Sequence, residues 1–79
     1  MTPEEARRVV QAALERVAPE LDPTMLSDDD ELRADLDLDS MDFLNVMIAI
    51  SEQTGLEIPE RDYAEVATYG GLLGYLAGR

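Results

Sequence analysis

The chain has 79 residues, with 18 Asp and Glu against 6 Arg and no Lys, a formal net charge of −12. Nucleic acid and anionic membrane surfaces would repel such a chain, and a domain of this size buries only about 60% of its unfolded surface, seldom enough for a core plus an enclosed substrate pocket. Without His or Cys it has no imidazole base, thiol nucleophile, zinc-ligand pattern or disulfide, so it is not expected to be an enzyme, and any chemistry must be brought in from outside. The longest apolar run, Val46 to Ile50, is far below the roughly 18 residues of a membrane span, and the N-terminus lacks a basic segment followed by an apolar one. A soluble cytoplasmic protein is expected.

A hydrophobic content of 46% nonetheless gives material for a real core. From Pro3 to Val17 the residues Ala6, Val9, Val10, Ala13, Leu14 and Val17 recur at helical spacing, with Thr2 as N-cap and Pro3 at the first helical position. Pro19 stops this helix. A connection of about 22 residues follows, from Ala18 to Asp39, long enough to suggest function. Leu21, Met25, Leu26, Leu32, Leu36 and Leu38 can pin it to the core as an ordered loop, with one helical turn near Asp28 to Leu32. Eight of the 16 residues from Ser27 to Asp42 are acidic, which concentrates the negative field where the loop meets the next helix.

The second helix is expected from Ser40 to Thr54, between Asp39 as N-cap and Gly55 as left-handed terminator. It is apolar on two faces: Phe43, Val46, Met47 and Ile50 form one, Met41, Leu44 and Ile48 the other. Such a helix is either wholly buried or offers one face to a partner; the partner face is favoured here, on the second stripe. A short third helix, Glu60 to Ala67, and a last helix capped by Thr68 and ending near Leu76 complete the chain. Leu72, Leu73, Tyr75 and Leu76 can close the core. Gly70, Gly71 and Gly74 each cost up to roughly 1 kcal/mol relative to Ala, which makes the last helix the weakest element unless the glycines serve close packing. The fold class is an all-α bundle, with residues 1–79 as a single domain.

Three chemical readings compete at the acidic junction. Asp35, Asp37 and Asp39 have the spacing that opens a calcium-binding loop, but its sixth position would be Ser40 instead of Gly and its twelfth Val46 instead of Glu. No metal site is expected. Paired carboxylates are abundant but lack an apolar pocket to split their pKa values. The third reading is Ser40, which follows Asp39 in the first turn of the second helix.

From Glu31 to Met41 the order is Glu31, Leu32, Arg33, Ala34, Asp35, Leu36, Asp37, Leu38, Asp39, Ser40, Met41. This resembles the attachment motif of the acyl carrier proteins, in which an apolar residue, two variable ones, Asp and Leu lead to Asp, Ser and then Leu or Met. Leu56 to Pro59, Ala67, Thr68, Tyr75 and Leu76 fall at matching spacings, so the likeness covers nearly the whole chain. The resemblance implies a four-helix bundle carrying 4′-phosphopantetheine on Ser40, with Asp39 helping to present the metal during attachment. Asp35, Asp37, Met41, Asp42, Leu44 and Ile48 would then meet partners: a phosphopantetheinyl transferase and acyl-loading or acyl-processing enzymes with basic patches. A monomer is expected. Many family members have Gly at Asp37, and Asn45 and Ser51 replace frequent Glu positions. Carriers of D-alanine or other aminoacyl groups share the Asp-Ser-Met look, and a cofactor-free acidic interaction module is the alternative of another class.

Overall fold

Thr2 opens the first helix with a reciprocal cap. Its hydroxyl accepts the Glu5 N–H at 3.1 Å while the Glu5 carboxylate accepts the Thr2 N–H at 3.0 Å, satisfying two amides that the helix itself cannot. In the computed structural model, which describes residues 1–78, this helix is α1 (Pro3–Val17), with Ala6, Val10, Ala13 and Leu14 buried. α2 (Ser40–Thr54) starts at Asp39 and ends at Gly55, whose φ of 73° is the left-handed terminator. α3 (Tyr69–Ala77) starts at Thr68, whose hydroxyl accepts the Gly71 N–H at 3.0 Å. α1 packs against both α2 and α3. Phe43, Val46, Met47 and Ile50 of α2 turn inward to meet Leu14, Leu72 and Leu76 in one buried cluster.

The described residues thus form three α-helices and no strand longer than an isolated bridge, where a four-helix bundle was expected. The segment from Glu60 to Ala67 is a 3₁₀ turn, Glu60–Asp62, followed by further turns. Its amides bond three residues back: Asp62 to Pro59, Tyr63 to Glu60, Glu65 to Asp62 and Val66 to Tyr63, at 2.9 to 3.3 Å. Eight residues are too few to nucleate an α-helix unaided. Val66 is the only fully buried side chain among them, which is too little apolar surface to enforce one.

The connection from Ala18 to Asp39 also differs in detail. Its helical turn lies at Pro23–Met25, where the Asp22 carboxylate caps the Thr24 N–H at 3.0 Å, and not at Asp28 to Leu32. Leu32 and Leu38 are buried, but Met25 is 79% exposed and pins nothing. The stretch around Asp28 to Leu32 is instead clasped to the start of α3. Leu32 N–H donates to the Ala67 carbonyl, Tyr69 N–H to that of Asp30 and Gly70 N–H to that of Asp28, each at 2.9 Å.

This clasp explains two of the three glycines. A Cβ at Gly70 would lie 2.6 Å from the Asp28 Cβ, and one at Gly71 would run into the Glu65 carbonyl. Gly74 has open space around it.

Candidate functional site

The junction of the clasped connection with α2 places Ser40 as the first helical residue, exposed to solvent. Immediately before it, the Asp39 carboxylate accepts the Asp42 N–H at 2.8 Å and the Asp39 carbonyl accepts that of Phe43 at 2.9 Å. Asp39 is therefore first of all the cap that fixes where α2 begins. The amides of Ser40 and Met41 lie in the first turn, where a helix supplies no acceptor and its dipole is positive, so the Ser40 Oγ stands in a field suited to an attached anion.

Asp37 adopts φ 58°, the only positive φ outside glycine among the described residues. The turn into α2 thus keeps the left-handed bend that Gly would make easily, and Asp tolerates it better than most residues. Asp35 folds back on its own loop: its carboxylate accepts the Glu31 N–H at 2.6 Å and its amide donates to the Glu31 carbonyl at 2.8 Å. Asp35, Asp37 and Asp39 do not converge, and no metal-holding group of acidic residues exists among the described residues. Asp42 is half-buried in the first turn.

The two faces of α2 part. Phe43, Val46, Met47 and Ile50 are buried, whereas Met41, Leu44 and Ile48 are 66%, 42% and 46% exposed. Ser40 opens onto a groove of about 850 Å³ between the connection, α2 and the turn segment, floored by Leu38, Phe43, Leu44 and Ala64. That is ample for a flexible chain of drug-like length. Arg33 and Tyr63 also line it, and neither had been singled out from the sequence, because only the tertiary fold brings residues from three segments to one groove. An exposed hydroxyl at a helix start beside a largely apolar groove suits a phosphate-linked arm.

Comparison with known proteins decides the family. Residues 7–76 match the family described as the phosphopantetheine attachment site. The chain belongs to that family. Its prosthetic group is 4′-phosphopantetheine. Relatives of the phosphopantetheine-binding chain include the mitochondrial acyl carrier protein of Saccharomyces cerevisiae, 30% identical over 74 residues. An acyl carrier protein of Rickettsia canadensis is 28% identical over 74 residues. Both alignments cover 91% of this chain, which spans 59% of the length of the yeast protein and 86% of that of the rickettsial one.

Proposed function

We propose that the protein is an acyl carrier: residues 1–79 act as one carrier domain that holds acyl intermediates as thioesters on a 4′-phosphopantetheine arm linked to Ser40. The exposed Ser40 hydroxyl at the capped start of α2, beside the groove, is the observation that carries this reading. The arm supplies the thiol that a chain without Cys lacks. The protein's own residues orient the attachment point and offer a surface, so it is a shuttle and not a catalyst. On this reading the turn segment at 60–67 takes the place of the third helix in the family's four-helix bundle.

Attachment joins the Ser40 oxygen to the pantetheine phosphate of coenzyme A, breaks the pyrophosphate bond and releases the adenosine bisphosphate. Asp39 assists by presenting the metal of a phosphopantetheinyl transferase. That enzyme, and the enzymes that load or process acyl groups, would meet Asp35, Asp37 and Asp42 through basic patches and the Met41, Leu44, Ile48 stripe through an apolar anchor. No helix among the described residues is long and apolar enough to cross a membrane. A net charge of −12 favours a dispersed monomer in an aqueous compartment, which we take to be the cytoplasm.

The test is intact mass after incubation with coenzyme A, Mg²⁺ and a phosphopantetheinyl transferase. The protein should gain one phosphopantetheinyl group and Ser40→Ala none, with its melting unchanged. A labelled Ser40→Ala variant moves the site elsewhere. An unlabelled but well-folded wild-type protein favours the cofactor-free interaction module.

A further inference from the structure

Arg33 is the only basic residue between Ser27 and Asp42, a stretch with eight carboxylates. It is exposed and lines the same groove as Ser40, where it is the one cation. Among the described residues it nevertheless makes neither an ion pair nor a hydrogen bond; the single ion pair there joins Arg16 to Glu52. Several neighbouring carboxylates are committed to backbone amides: Asp30 to Ser27, Asp35 to Glu31 and Asp39 to Asp42. The groove's own Glu31 and Glu60 also leave Arg33 unpaired.

A guanidinium is a fork suited to two oxygens of a phosphate or carboxylate. The first-turn amides of α2 favour an anion at Ser40 itself, but the side-chain charges of Asp35, Asp37, Asp39 and Asp42 around it oppose one. Arg33 is the one nearby charge that opposes this field.

Resting on the reading that Ser40 bears the arm, we propose that Arg33 is a positioning residue that receives an oxyanion carried by that arm. Two sources share this chemistry: the phosphodiester at Ser40, and a carboxylate at the far end of a dicarboxylic acyl group. Pairing would draw the arm along the groove floor instead of leaving it free in solvent.

The experiment follows the side-chain Nε–H signals of the six arginines by NMR in four forms: unmodified, modified with coenzyme A, with butyryl-coenzyme A and with succinyl-coenzyme A. The Arg33 signal is assigned by its loss in Arg33→Gln, and modification is verified by mass. A displacement of the Arg33 signal beyond that of the other arginines on simple modification, shrinking as salt is raised, identifies the phosphodiester. A displacement that appears with succinyl but not butyryl identifies the carboxylate. Full mass gain with an unmoved Arg33 signal in all forms overturns the inference and leaves the attachment reading standing, as does a displacement insensitive to salt. Absence of mass gain overturns both.

Discussion

The ring of Phe43 meets that of Tyr63 edge-on, with centroids 5.4 Å apart and planes at 78°. This contact joins the first turns of α2 to the 3₁₀-bonded segment, whose Val66 also enters the core cluster that α2 helps to form. Phe43→Ala should cost about 3–5 kcal/mol as a core truncation. Tyr63→Leu keeps an apolar side chain but loses the ring geometry, worth about 0.5–1.5 kcal/mol, or a fall in Tm of a few degrees. Thermal melts of both variants check the order; a Tyr63→Leu protein as stable as wild type would mean the rings touch without holding.

The separation of the two faces of α2 gives a second test. Ile50→Ala should cost about 2–5 kcal/mol, because its side chain is fully buried. Leu44→Ala, partly exposed at the groove, should cost about 1 kcal/mol or less while slowing modification by the transferase. If Leu44→Ala unfolds the protein as severely as Ile50→Ala and transfer to the remaining folded molecules is normal, the stripe serves the core.

Asp37 offers a backbone prediction. At φ 58° a non-glycine residue pays roughly 1–2 kcal/mol of strain, less for Asp than for most. Asp37→Gly should therefore match or exceed wild-type stability despite its greater freedom when unfolded, whereas Asp37→Ala should lie below it and Asp37→Val lower still. Urea midpoints of the four proteins test that ranking. Equal midpoints for Gly and Val would exclude a left-handed turn.

Much of the helical architecture was legible because each helix begins with a side chain that caps it: Thr2, Asp39 and Thr68, with Gly55 as the matching stop. What escaped is bonding without a side-chain signature. The clasp of Asp28, Asp30 and Leu32 onto Ala67, Tyr69 and Gly70 consists of backbone groups alone, and over eight residues from Glu60 a 3₁₀ period cannot be told from an α period. Tyr69 escaped for a related reason: as first residue of a glycine-rich helix it belongs to no stripe, yet it is the largest fully buried side chain. Ser40 and Asp39 stood out from local pattern; Arg33 and Tyr63 did not, since nothing local relates them to Ser40.

The Tyr69 hydroxyl is buried and makes no hydrogen bond among the described residues. Leaving a polar atom unpaired in this way costs about 1–3 kcal/mol. Tyr69→Phe retains the ring, including the face with the Arg7 guanidinium carbon 6.0 Å from its centroid, and should raise Tm. A lower Tm would reveal a partner for the hydroxyl.

Acid should expose the cap of α1. The Glu5 carboxyl is held below its usual 4.5, chiefly by the hydrogen bond from the Thr2 backbone and then by the Thr2 side chain. Because the folded value is the lower one, this stabilisation is present above 4.5 and lost as pH falls through the depressed folded value. Urea midpoints should place Glu5→Gln below wild type at neutral pH, with the gap closing in acid. A gap that persists at about pH 2–3 would assign the cap to hydrogen-bond geometry and not to charge.

The clasp also bears on how the molecule is made. Amides of Leu32, Tyr69 and Gly70 find their acceptors only when the beginning of α3 lies against a loop some 35 to 42 residues earlier, and such distant pairings form late. A ribosome delivers Ala67 to Gly70 only after Thr54 has ended α2, when α1 and α2 can already be paired. The nascent chain therefore has Ser40 at a finished helix start before it has a finished groove, and the walls that would guide an arm close only once Ala67 to Gly70 have emerged and met the loop.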